Sequence, residues 1–246
     1  MPRCLLPLLL VPLFLPAVAQ ANPALEGYAN YTALAERVKK LDESDLVSVT
    51  SLGKTAGGRE IVVLTLGRGD PKKPAIAVVG GVDAAHVVGS ELALRLAEQL
   101  VADADKDAVK KLLDELTIYI IPRPDPDAVE KAFGGPFREA AGNARKTDDD
   151  RDGKAGEDPP DDLNGDGWIT LMRVADDAGT WLPHPDEPRV MIEADPKKNE
   201  RGRFRIYVEG RDDDHDEQFN EDACDGVIFN RNFPHRFQHF QPGTGH

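Results

Sequence analysis

The stretch PAIAVVGGVDAAHVVGSELALRLAEQL, residues 74–100, decides the reading of the fold. Residues 75–79 are a continuous apolar run, the pattern of a strand buried on both faces of a sheet. Gly80-Gly81 ends the run. Over residues 90–101, Leu92, Leu96 and Leu100 then recur at helical spacing and predict one apolar helix face. A strand that passes through glycines into a helix is the kind of junction where α/β enzymes place their chemistry, and this one carries Asp83 and His86. A carboxylate oxygen and an imidazole nitrogen are both zinc donors, so the pair can approach one divalent ion. Two donors do not make a site. The same residues also read as a helix cap at Asp83 and an ordinary, partly exposed His86.

Outward from this junction, helix and strand patterns alternate. Leu34, Val38 and Leu41 predict an amphipathic helix over residues 31–41. Strands over 47–52 and 61–66 flank GKTAGGRE, a Gly-rich, hairpin-like connection. A helix over 106–113 precedes a strand over 117–121. Together these predict a three-layer α/β/α domain with a mixed sheet. After Pro122 the regular pattern fades. Residues 123–225 hold many Gly, Pro and Asp, with strand-like pieces only at 169–174 and 204–208. A structureless loop of that length is foreign to a compact domain, so the region reads as an insertion organised by something other than a core.

Residues 1–21, with Arg3, an apolar run from Leu5 to Leu15 and small residues at Ala17, Ala19 and Ala21, read as a secretory signal peptide. Pro7, Pro12 and Pro16 and the short run argue against a membrane span. The expectation is a secreted or periplasmic protein whose mature domain covers 22–246. Cys224 is then the only cysteine, which leaves no disulfide within the chain. The net charge of −14 makes nucleic acid and anionic membrane surfaces unsuitable partners.

Several pieces in order resemble the zinc carboxypeptidases of the carboxypeptidase A type. These are SLGKTAGGREI from Ser51, GGVDAAHVVGSELAL from Gly80, IIPRPDPDA from Ile120, ARKT from Ala144 and GVIFNRNFP from Gly226. The likeness covers about residues 28–145 and resumes at 226–234, with the acidic insertion, about 147–225, between. Where the family reads His-x-x-Glu, this chain has Asp83-Ala84-Ala85-His86, so the ligand types are exchanged. Reach is preserved, because an Asp oxygen and His Nδ1 both lie one bond beyond Cγ, whereas His Nε2 and a Glu oxygen lie one atom further. Two residues before the family's Asn-Arg pair an Asp serves as outer acceptor for the His ligand; here Ile228 stands there. A carboxylate ligand at Asp83 would be repelled by such a neighbour.

The resemblance implies Zn2+ at Asp83 and His86, and oxyanion stabilisation by Arg145. It also implies a clamp on the substrate's C-terminal carboxylate from Asn230 and Arg231. The plain alternative for each arginine is a surface salt bridge. The family's third ligand, a His, and its general-base Glu come well after the Asn-Arg pair. Fifteen residues follow Arg231, and His235, His239 and His246 do not fall where that ligand would. The chain is therefore expected to be C-terminally truncated and inactive on its own.

The insertion carries three acidic runs, Asp148-x-Asp150-x-Asp152, Asp162-x-Asn164-x-Asp166 and Asp212-x-Asp214-x-Asp216. Alternation of this kind turns successive oxygens around one hard cation, and Gly153 and Gly167 permit the sharp turn. The twelfth position, a bidentate Glu in a complete EF-hand, holds Pro159 and Arg173 in the first two runs. They resemble calcium loops of the dockerin or thrombospondin kind, and Ca2+ is the second cofactor expected. The alternative is a solvated acidic loop. The leading functional reading is a secreted metallocarboxypeptidase that removes C-terminal residues from peptides or proteins with a free C-terminus. The rivals are a non-catalytic protein of the same fold that binds peptide or wall-polymer carboxylates, and a calcium-dependent adhesion module.

Overall fold

Asn30 starts the first helix. Its side-chain oxygen accepts the Ala33 N–H at 2.9 Å, satisfying one of the donors that a helix start leaves open. The helix α1 spans Tyr31–Leu41 and buries Leu34, Val38 and Leu41, the three positions marked by the periodicity. The computed structural model describes residues 25–70, 72–138, 142–148, 153–156, 159–213, 215, 219–220, 226–235 and 237. The proposed leader, Cys224 and four acidic-run residues, Asp150, Asp152, Asp214 and Asp216, lie outside them.

Strands β1 (Val47–Lys54), β2 (Glu60–Leu66), β3 (Ala75–Val79) and β4 (Thr117–Ile121) form a mixed sheet in the order β1-β2-β4-β3. The first two pairings are antiparallel, and β3 runs parallel to β4 with Val79 opposite Ile121. A parallel pair needs a long crossover, which α2 (Val88–Ala102) and α3 (Asp107–Glu115) supply. All three helices contribute to one core with Leu64, Leu66, Ile118 and Ile120 of the sheet. Because side chains alternate along a strand, Tyr119 points to the opposite face, where it is 39% exposed.

Two details depart from the sequence reading. β3 lies at the edge of the sheet, so Ile76 and Val79 are exposed and Val78 packs against the core; an edge strand has a neighbour on one side only. The core face of α2 is Ser90, Ala93, Leu94, Ala97 and Leu100, while Leu92 and Leu96 face outward. Small residues win this face because the helix approaches β3 closely. A Cβ on Gly80 would stand 2.6 Å from the Ala93 Cβ and 2.4 Å from the Gly89 carbonyl oxygen.

Beyond helix α4 (Pro126–Gly134) a second sheet forms, with strand order β5-β8-β6-β7. Its strands are β5 (Leu171–Ala175), β6 (Trp181–Pro183), β7 (Met191–Glu193) and β8 (Phe204–Val208), and every pairing is antiparallel. Among the described residues no apolar side chain between Ala132 and Ile228 is buried. The ladder and a buried carboxylate, Glu209, hold this sheet instead of a core.

Candidate active site

The end of β3 meets the start of α2 through glycines. Gly81 adopts φ +59° and lies against Ser90, where a Cβ would approach the serine Cβ to 2.9 Å. The intervening turn closes with the His86 N–H donating to the Asp83 carbonyl at 3.1 Å. Asp83 does not cap α2, whose N-cap is Val87; its Oδ1 instead accepts the Ala85 N–H at 3.2 Å. Its Oδ2 faces His86 Nδ1 at 3.2 Å, with the side chains 44% and 65% exposed. Two ligands bound at ~2.0–2.1 Å to a tetrahedral zinc lie roughly 3.3 Å apart. The contact is an ion pair in hydrogen-bond range, and its donor types and separation are also compatible with two ligands of one zinc. Among the described residues no group of three or more His, Cys, Asp or Glu gathers to hold a metal.

Under this turn lies α4, started by an Asp-Pro pair in which the Asp125 carboxylate accepts the Ala128 N–H. Ala84 and Val87, beside the two donors, pack in one cluster with Ala128, Val129 and Ala132 of α4. The helix is fixed at its front by Asp127, which is 1% exposed. Its carboxylate accepts from Thr55 Oγ1, the Gly57 N–H and Arg59 Nη1, each at 2.8 Å. Burial opposes its ionisation, but the bonds from Arg59, Thr55 and Gly57 outweigh that and hold its pKa below the usual carboxylate range. The buried Arg123 guanidinium joins Ser90 Oγ at 3.0 Å and the Ala29 carbonyl at 2.7 Å. Burial lowers its pKa to about 10.

The rear of α4 reaches the segment that bears Arg145, since Lys131 Nζ donates to the Asn143 carbonyl at 2.8 Å. Asn143 in turn pairs with the far side of the insertion, its N–H donating to the Val227 carbonyl at 3.0 Å. Val227 leads through the buried Ile228 into a 3-10 turn, Phe229–Arg231. The insertion is therefore closed at its base, and the stretches carrying Arg145 and Asn230-Arg231 are joined there. The side chains of Arg145, Asn230 and Arg231 are exposed.

Of the acidic runs, the second is described in full. Asp162 Oδ1 accepts the Gly165 and Asp166 N–H groups, and its Oδ2 accepts that of Gly167. Asn164 Nδ2 donates to Asp166 at 3.0 Å. Behind the loop Glu209, 5% exposed, accepts from the Leu163, Asn164 and Thr170 N–H groups and the Thr170 hydroxyl. In the first run the Asp148 carboxylate accepts the Gly153 N–H at 3.1 Å. In the third, Asp212 Oδ1 accepts the His215 N–H at 2.6 Å. Glu209 and Asn143 lie outside the quoted pieces, whereas Arg59 and Asp127 lie in SLGKTAGGREI and IIPRPDPDA without a role having been given to them. Asp125-Pro126 is a helix-start signal that would have placed α4.

A zinc carboxypeptidase family model matches residues 33–245, and the chain belongs to that family. Carboxypeptidase E of Caenorhabditis elegans is 32% identical over 116 residues, covering 44% of this chain and 24% of that protein. A zinc carboxypeptidase of Saccharothrix mutabilis subsp. capreolus is 31% identical over 122 residues, covering 46% of the chain and 28% of the relative. The matched part thus spans less than a third of these relatives' length. Among solved structures, a metallo-carboxypeptidase from Burkholderia cenocepacia is similar at TM-score 0.40 and 23% identity, covering 46% of this chain and 31% of that one.

Proposed function

We propose that this chain is the part of an exported zinc metallocarboxypeptidase that carries two metal donors and the carboxylate-binding groups, and that the protein removes C-terminal residues from peptides. The observation that carries this reading is the convergence of Asp83 Oδ2 and His86 Nδ1, 3.2 Å apart at a strand end. Bound zinc would supply Lewis acidity toward the scissile carbonyl. The chain's own residues do the rest of the recognition. Asn230 and Arg231 hold the free C-terminal carboxylate, for which a guanidinium offers paired donors. Arg145, permanently charged, faces the oxygen on which negative charge develops.

The leader reading supports export, and the oxygen alternation in the insertion supports calcium as a second cofactor. The exchange of ligand types at Asp83-x-x-His86 favours a second reading, a carboxypeptidase fold retained for binding carboxylates without cleaving them. Turnover by the protein purified from its native source separates the two. The enzyme reading expects shortening of free-acid peptides, intact amidated peptides and loss of turnover with chelator. No turnover of either peptide supports the binding protein, and equal cleavage of both contradicts the clamp.

A further inference from the structure

The geometry points to Asn143 as the positioning residue that assembles the carboxylate site, a role that rests on reading Arg145, Asn230 and Arg231 as that site. Asn143 is a four-way node. Its side-chain Oδ1 accepts the Arg145 N–H at 2.9 Å and, across the base of the insertion, the Val227 N–H at 3.4 Å. Its own N–H donates to the Val227 carbonyl at 3.0 Å, and its carbonyl accepts Lys131 Nζ at 2.8 Å. One residue therefore ties α4, the Arg145 segment and the segment leading to Asn230 and Arg231.

The opposing backbone is shaped for this contact. Gly226 has φ +121°, and a Cβ there would stand 2.3 Å from the Asn143 carbonyl oxygen and 2.9 Å from that of Arg145. A side chain at 226 would thus push the two segments apart. Arg145 and Val227 are 82 positions apart, and between them lies an insertion with no buried apolar residue among those described. The two Oδ1 bonds, which a side chain without that oxygen loses while the main-chain bonds to Val227 and Lys131 remain, set how the Arg145 segment lies against residues 226–228. Recognition of a carboxylate by several donors needs their spacing fixed to well under an ångström or so. Asn143 supplies the fixing, and asparagine suits it because one oxygen can accept two N–H groups.

The experiment measures affinities of the 246-residue chain for N-benzoyl-glycyl-phenylalanine and for its C-terminal amide. The readout is the ratio between them, which a general loss of stability would not change selectively. Wild type is expected to favour the free acid at least tenfold. Asn143→Ala should bring the ratio to within about twofold of unity, and Gly226→Ala, which opens the same base from the opposite segment, should do likewise. Asn143→Asp keeps the acceptor oxygen and should retain most of the preference. A preference undiminished in Asn143→Ala, or lost as fully in Asn143→Asp, overturns the proposal even where one variant folds poorly. The underlying site has its own control. If Arg231→Ala abolishes the preference and Asn143→Ala does not, only the role of Asn143 falls. If wild type shows no preference, the carboxylate site falls, and this role with it.

Discussion

Asp127 shows how one buried side chain fixes the floor of the site. Replacing it with alanine leaves the Gly57 N–H, the Thr55 hydroxyl and the Arg59 guanidinium without their acceptor. Stranding a buried ion-pair partner costs ~3–5 kcal/mol. Arg59 keeps 30% of its side-chain surface in water, so a loss near the lower end, about 3 kcal/mol, is expected in urea unfolding. The pKa of Asp127 is depressed in the folded state, so its stabilisation is present above the ordinary carboxylate range, near pH 4. It is lost as pH falls through the folded value. Asp127→Asn should therefore flatten the acid limb of the stability curve, and an unchanged limb would contradict the assignment. Gly80→Ala should cost ~1–3 kcal/mol by overpacking, since its Cβ would meet Gly89 and Ala93; a neutral effect would deny the close approach. This contact also explains why the α2 face was misread. Leu92, Leu96 and Leu100 have the right spacing, but strand and helix meet so closely that alanines at 93 and 97 take the inner positions. Hydrophobicity marks which residues are greasy, while the space available depends on a partner that is not local.

At the scale of elements, α1 and β4 were legible to the residue because each has a clean pattern, 3.6-fold in α1 and a short apolar run in β4. The strand at 204–208 was equally plain. Helix α4 was missed because its apolar face is made mostly of small residues, Ala128, Val129 and Ala132, and its start is written in prolines. β6 and β7 are three residues each, too short for any period to emerge. The insertion's organiser, Glu209, binds a loop 39 to 46 positions away, a pairing that no local window contains. Glu209→Ala would leave three N–H groups and a hydroxyl without their acceptor, at an expected cost on the order of 3 kcal/mol. The effect should be confined to this module: protease cleavage between residues 147 and 225 should quicken while the first sheet's melting stays near wild type. Calcium belongs to the same scale. If the alternating oxygens bind it, an excess of 100 times its Kd adds about 2.7 kcal/mol, seen as higher melting with calcium than with chelator. Identical melting and identical protease sensitivity in both would favour a solvated acidic loop.

Over the whole molecule, the chain joins a zinc-carboxypeptidase fold to an acidic second sheet. The mixed sheet and the order of its pieces were readable because the motifs carry both glycine geometry and chemistry. The link between the two halves of the site was not, because it runs through α4 and Asn143 rather than through any motif. The account stands on whether the Asp83-x-x-His86 turn holds metal. Calorimetric titration of the metal-free protein with zinc tests it most directly, against Asp83→Ala and His86→Ala at fixed pH. The account predicts about one zinc per chain, bound at least tenfold more weakly by each variant, with the fold of both unchanged by circular dichroism. Zinc binding that is equally tight in wild type and both variants, or absent from wild type, would contradict it.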